Sequence, residues 1–262
     1  MTEQDLSYFK NWFDDFSGSH YSQDKEDQKN ILLKVVHTHH VCENILEIIN
    51  SLSPGGNDKR LAETVALFHD IGRFPQYARY KTFKDAVSVN HGLLGTKTLI
   101  EKNILRDLSE DERILIINTV KFHGALAIPK DMDDRTAFFL KLVRDADKVD
   151  IYRVFIEYYE SPAGERASAT AFGVPDTPEY SKIMLSSIFE RKVASYSSIK
   201  TENDFRIMKL SWVFDMNFRE SIRLLQERNY IGKIADKLPQ TEEVVKALSF
   251  LQQYVTERLE NG

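Results

Sequence analysis

Histidine and aspartate recur through the first 150 positions at places flanked by apolar residues. His37 lies in VVHTHHVCEN, His69 and Asp70 in ALFHDIGRF, His91 in NHGLLG and His123 in VKFHG; Asp145, Asp147 and Asp150 lie in VRDADKVDIYRV. A buried imidazole must find a partner, and a single one on an apolar face is ordinarily a satisfied core residue. Five separated places, all in one half of the chain and each on a different predicted helix, call for a shared purpose. Neutral imidazole together with carboxylate suits Fe, Mn, Co, Ni or Zn, whereas an all-oxygen shell would point to Mg or Ca. Cys-rich spacing is missing, which argues against a structural zinc site. Imidazoles in this number are enough for one or two divalent transition-metal ions, two of them lying roughly 3.5–4 Å apart with a bridging carboxylate.

Cations near these positions matter because a phosphate ester needs positive donors beyond a metal. Arg73 follows the His-Asp pair by about one helical turn and is the first choice for a substrate phosphate; Lys148, beside Asp147, is the second. Arg79, Lys81 and Lys84 follow Pro75, and Tyr77, Tyr80 and Phe83 interleave with them as rings that either stack on a base or pack beneath a loop. His40 shares a face with His37, but His39 and His40 are read as structural or supporting groups. His20, in SGSHYSQDKED, is read as solvated.

Helices must position these residues. Apolar residues recur at three and four, as in Ile31, Leu32, Val35, Val36 and then Val41, Ile45, Ile48, Ile49, and sustained alternation of period two is absent. The fold class expected is all-α, with helices over 29–51, 58–71, 91–103, 109–123, 135–160, 178–197, 201–228 and 240–260. Ser109 and Thr241 each precede acidic residues and read as helix starts. Loops are expected at 51–58, around Pro75, at 128–134 and over 161–180. The run LSWVFDMNFRESIRLL reads as helix, with Trp212, Phe214 and Phe218 in the core. The chain is long enough to bury about 70–75% of its unfolded surface, and it is expected to be one all-helical unit, with a second half packed on the first.

A formal charge of -5 and a pI near 5.9 argue against an extended nucleic-acid interface. Apolar runs fall short of the roughly 18–20 residues that cross a bilayer, and the start MTEQDLSYFKNWFDDF is too acidic for a signal peptide. The one cysteine, Cys42, is read as a small core residue in a reducing compartment. A cytoplasmic protein without a membrane partner is expected.

The series H…HD…H…H…D formed by His37, His69, Asp70, His91, His123 and Asp147 resembles the HD superfamily of metal-dependent phosphohydrolases. The local words HT..V around His37, HDIGRF at 69–74, NHG.LG at 90–95 and DADKVD at 145–150 agree with it. The resemblance implies an HD-domain helical bundle over 30–155 with additional C-terminal helices over 156–262. It further implies His37, His69, Asp70 and Asp147 as shared metal ligands, Asp70 as the bridge, and His91 and His123 as the extra ligands of the two-metal subgroup. Asp147 matches the family's "AD" before a basic residue. Asp145 stays open as the alternative, and Asp145 or Asp150 could instead hold a ligand histidine by its outer nitrogen.

The expected function is hydrolysis of a phosphomonoester or phosphodiester in a nucleotide-like small molecule, by water that the metal has made acidic. Asp70, Arg73 and Lys148 would take part in catalysis, with Arg73, Tyr77, Lys81 and Lys148 at the substrate. A mixed-valent di-iron oxygenase and a non-catalytic nucleotide sensor are the alternatives, and the C-terminal helices would either cover the pocket or dock two protomers as a homodimer.

Overall fold

The computed structural model describes residues 1–170 and 173–260. The chain is all-α, as its periodicity predicts. The helices are α1 (Glu3–Gly18), α2 (Lys25–Asn50), α3 (Gly56–Phe68), α4 (Arg73–Tyr80), α5 (His91–Glu101), α6 (Glu110–Phe122) and α7 (Asp134–Glu160), then α8 (Lys182–Phe189), α9 (Glu202–Ser211), α10 (Arg219–Glu227), α11 (Tyr230–Ala235) and α12 (Glu242–Glu260). No helix among the described residues is long and apolar enough to cross a membrane. Two compact units divide the chain: Met1–Ile151 with Ser161–Ala171, and Tyr152–Glu160 with Phe172–Gly262.

In the first unit α2 packs along α3, α3 on α6, α5 on α6 and α4 on α5. The apolar stripe of α2 ends in Ile45, Ile48 and Ile49. These meet a core shared with Leu61, Val65 and Phe68 of α3, Ile116 and Val120 of α6, and Leu140 and Val143 of α7, all fully buried. Each such side chain contributes about 1.5–3 kcal/mol on leaving water. Two elements differ from the sequence reading. The first, α1, starts at a capping box in which Thr2 and Asp5 satisfy each other's backbone N–H groups. It buries Leu6, Phe9 and Phe13, with the Phe9 and Trp12 rings against Phe68. The second, α4, occupies the stretch read as a loop, because Pro75 falls in its first turn, where a missing N–H breaks no intrahelical bond.

Glycines decide how closely the helices carrying the His-Asp words approach. A Cβ on Gly72 would stand 2.1 Å from the carbonyl oxygen of His91 and 2.5 Å from the backbone nitrogen of Gly95; one on Gly92 would stand 2.6 Å from the carbonyl oxygen of Lys121. All of these atoms are backbone, so no rotamer change relieves the contact. Gly72→Ala should therefore force α4 and α5 apart and cost about 2 kcal/mol, within the range for overpacked interiors. Urea unfolding will measure it, and a change below about 0.5 kcal/mol would show that the helices yield.

The second unit is built from α8 on α9, α12 on α8 and α10, and α11 on α9. Its core holds Phe205, Leu210, Val213, Ile222, Leu225, Val244 and Leu251. The run 201–228 is not one helix: α9 ends at Ser211, a 3-10 turn covers Trp212–Asp215, and Met216 and Phe218 are extended before α10. Asp215 and Asn217 are poor helix residues, which makes this the natural point of rupture. Trp212 is buried as expected, and Phe214 packs edge-on against Tyr254.

Candidate metal centre

Three of the site histidines stand at helix ends and one within a helix. His69 caps the C-terminus of α3 and His123 that of α6; His91 is the first residue of α5, after Asn90, whose side chain accepts from the Leu93 N–H. His37 lies inside α2 and Asp147 inside α7, while Asp70 follows α3 directly. All are buried except Asp147, which is partly exposed. The structure brings all six together.

Asp70 divides the cluster. Its Oδ2 lies 3.7 Å from Nε2 of both His37 and His69, and its Oδ1 lies 3.4 Å from Nε2 of His91 and 3.5 Å from Nε2 of His123. On the first side Asp147 Oδ1 is 3.1 Å from His37 Nε2 and 3.8 Å from His69 Nε2, and the two imidazole nitrogens are 3.3 Å apart. On the second, His91 Nε2 and His123 Nε2 are 2.9 Å apart. Ligand atoms about 2.0–2.2 Å from one transition-metal ion stand roughly 3.0–3.6 Å from each other at octahedral to tetrahedral angles, which is close to the spacing found. His37, His69 and Asp70 form one group able to hold an ion, and Asp70, His91 and His123 form another.

The outer nitrogens explain why all four Nε2 atoms face inward. Nδ1 of His69 donates to the Ala66 carbonyl at 2.6 Å, and Nδ1 of His123 to the Val120 carbonyl at 2.8 Å. Nδ1 of His91 meets Asp85 Oδ2 at 2.7 Å, and Nδ1 of His37 meets Asp150 Oδ2 at 2.6 Å. A carbonyl can only accept, so Nδ1 carries the proton in His69 and His123. With Nδ1 as the donor, each ring turns Nε2 to the centre, the orientation that metal-bound histidines take from such partners. Burial pushes His69 down to about 4, and burial followed by the charge of Arg73 takes His91 to about 4. Nitrogens so directed would offer their lone pairs to a cation placed among them. The residues therefore fit a metal ion: buried His/Asp groups of this kind could hold one.

Charge on the carboxylates supports this. Burial opposes ionisation of Asp70, but the cations Lys34 and Arg73 hold its carboxyl well below the ordinary range. Asp147 is also held low, the cost of burial being outweighed by its hydrogen bond from His37. His37 differs from the other imidazoles. Burial and Lys34 push its pKa down, yet hydrogen bonds to Asp147 and Asp150 outweigh them and raise it to about 9.

The remaining expected residues have other partners. Arg73 touches Asp70 Oδ1 through Nε at 3.3 Å, but its Nη1 is engaged by the Phe83 carbonyl at 2.6 Å, Asp85 Oδ1 at 2.8 Å and Gln76 Oε1 at 3.0 Å. It ties the segment after α4 to the cluster. Tyr77 is buried, accepts from Asn30 at 3.0 Å and donates to Asp27 at 3.1 Å; Lys81 pairs with the same Asp27 and lies over the Tyr77 ring. The structure thus groups Tyr77 and Lys81 with Asp27 and Asn30 rather than with the histidines. Lys148 is half-buried on α7 beside Asp147. Asp145 is fully buried on the same helix, and Asp147 is the carboxylate that meets His37 and His69. His39 is exposed with its ring edge-on to Phe13, His40 pairs with Glu43, and His20 bonds the Phe16 carbonyl and packs on Phe74. Cys42 is buried, as expected of a core residue.

Two residues of the cluster escaped the sequence reading. Lys34, one turn before His37, places Nζ 2.7 Å from Asp70 Oδ2. Asp85 joins His91 to Arg73, and against the effect of burial these two hold its pKa at about 2. Lys34 could have been found from helical spacing, since positions 34 and 37 share a face. Asp85 could not, because it lies in a single short 3-10 turn, Asp85–Val87, with no helical register to a ligand. No protein-family model matches the chain, and neither the curated proteins nor the solved structures compared with it give a match.

Proposed function

We propose that this chain is a metal-dependent phosphohydrolase of the HD type, acting on a nucleotide or similar small phosphate ester. The observation that carries the reading is the division of Asp70, one carboxylate oxygen toward His37 and His69 and the other toward His91 and His123. That is the ligand plan of a two-ion site with a bridging carboxylate, used widely for displacement at phosphorus. Divalent ions held there would bring the pKa of water from about 15.7 toward 7 and offset charge on the phosphoryl oxygens.

The chain's own groups prepare for this. His69 and His91 are neutral at physiological pH and offer lone pairs without first losing a proton. Asp70 and Asp147 stay ionised. Asp150 and Asp85 each fix one imidazole and keep its inner nitrogen aimed at the centre. Lys34 and Arg73 add positive charge beside the bridging carboxylate, where a phosphoryl group would need it.

The test is to strip the protein with chelator, reload it separately with Mn, Fe, Co, Ni or Zn, and assay nucleoside mono-, di- and triphosphates, cyclic nucleotides and simple aryl phosphates. Turnover at least 100-fold above the stripped protein with one of these metals is expected. Failure with every metal would overturn the proposal. Oxygen uptake by the iron form with a polyol or phosphonate would assign the site to an oxygenase, and tight nucleotide binding without turnover would assign it to a sensor.

A further inference from the structure

Exposure around the centre is uneven. The four imidazoles have side chains at most 8% exposed, whereas Asp147 is 19% and Lys34 15% exposed on the His37–His69 side, and Arg73 is 16% and Asp85 32% exposed on the His91 side. On the His37–His69 side, Asp147 and Lys34 are the two groups that meet both solvent and the cluster. Asp147 repels an anion there, so the approach depends on the ammonium.

Lys34 differs from Arg73 in how it is held. Arg73 is braced by Asp70, Asp85, Gln76 and the Phe83 carbonyl, and a guanidinium so engaged acts as a strut. The ammonium of Lys34 has three N–H bonds, and its acceptor among the described residues is Asp70 Oδ2. Its other neighbour is the face of the Phe83 ring, 5.3 Å from Nζ, a contact that holds a cation without using its hydrogen-bonding capacity. A flexible four-carbon stem ending in a point charge can shift by an ångström or two, which a forked guanidinium cannot.

A divalent ion in the first group would share Asp70 Oδ2 with Lys34. Two cations on one oxygen repel, and the shorter-lived contact is the lysine's. An anion that touches both removes the repulsion. Charge points the same way: two divalent ions with Lys34 and Arg73 would outweigh the carboxylates of Asp70, Asp85, Asp147 and Asp150. An anion offsets that surplus.

We infer that Lys34 is the anion-binding residue of this site, its ammonium taking an oxygen of a tetrahedral phosphate or phosphoryl group that enters at the edge formed with Asp147. The inference rests on the metal-dependent reading above and assigns to Lys34 the role first expected of Arg73. Lys34 binds and positions the group; the displacement itself needs nothing from it beyond charge.

Manganese-loaded wild type, Lys34→Gln and Lys34→Arg are compared by elemental analysis, by circular dichroism melting and by calorimetric titration with inorganic phosphate. All three should fold and keep their metal. Phosphate should bind Lys34→Gln at least tenfold more weakly than wild type, with Lys34→Arg recovering to within about threefold. For any ester the wild type turns over, Lys34→Gln should raise KM by a similar factor and change kcat less. Equal phosphate affinity in Lys34→Gln, loss of its metal, or no phosphate binding by loaded wild type would each overturn the inference. Phosphate binding that depends on Lys34, without hydrolysis of any ester, would keep the inference and remove the hydrolase reading. Hydrolysis unaffected by Lys34→Gln would do the reverse.

Discussion

Asp70→Asn is expected to lower metal-dependent turnover by about a thousandfold or more and to reduce both bound ions, not one. The bridging carboxylate is the residue the two ligand groups share, with one oxygen committed to each. Asparagine keeps the shape but offers a neutral carbonyl on one side and an NH2 on the other, which cannot coordinate. Losing several kcal/mol of charge stabilisation at a metal corresponds to about three orders of magnitude in rate. His91→Ala and His123→Ala supply the contrast, since they remove ligands from the second group alone and should leave about one ion per chain. Elemental analysis of dialysed protein, beside circular dichroism to show that each variant folds, reads both outcomes. Lys34 loses its carboxylate partner in Asp70→Asn, and because it is partly exposed the cost should stay well below the roughly 3–5 kcal/mol of breaking a fully buried pair. If Asp70→Asn kept two ions, the carboxylate would not be a bridge and the two-ion arrangement would be wrong.

Metal affinity should rise about a hundredfold between pH 7 and pH 9. In chelator-stripped protein His37 holds a proton between Asp147 and Asp150, with its pKa raised to about 9. An ion in the first group needs the Nε2 lone pair and so must expel that proton. Below pH 9 the apparent affinity therefore falls about tenfold per unit, and levels off above it. Stability of the stripped protein runs the opposite way. A histidine whose folded pKa lies above its unfolded value near 6.5 contributes stability in full below that value, and the contribution is lost as pH rises through about 9. Calorimetric titration with manganese in buffers of different ionisation enthalpy will count the released proton. The expected result near pH 7.5 is about one per ion at the first group; none would mean that His37 is already neutral. Asp150→Asn should shift the profile to lower pH, because the amide oxygen can still accept from Nδ1 but no longer carries the charge that helps raise His37, while weakening the metal about 10–100-fold through a less basic imidazole.

Some of this was legible from one dimension. The helical stripe of α2 could be read because a period near 3.6 is a local property of the chain, and Ser109 could be read as a helix start because a cap needs only its next three residues. Helix α1 carried the same kind of signal in Thr2, Asp5, Leu6, Phe9 and Phe13, although the acidic residues among them obscure it. The break between α9 and α10 was hidden for the opposite reason: its apolar spacing fits a continuous helix and masks the weak helix formers Asp215 and Asn217, where the chain passes through a 3-10 turn. Gly72 and Gly92 stood in the words that drew attention to the site, but their purpose, letting backbones touch across α5 and its neighbours, has no local signature.

By itself the sequence determined the residue types: an all-helical chain, four imidazoles and several carboxylates among apolar neighbours, and cations nearby. Only the tertiary structure decided which oxygen of Asp70 faces which pair of histidines, that Asp150 takes the outer nitrogen of His37 from 113 positions away, and that Lys34 sits on Asp70 while Tyr77 and Lys81 turn to Asp27. The reason is geometric. Periodicity fixes directions within one helix, whereas distances between side chains on different helices depend on how closely their backbones pack, and that is set by contacts such as those at Gly72 and Gly92.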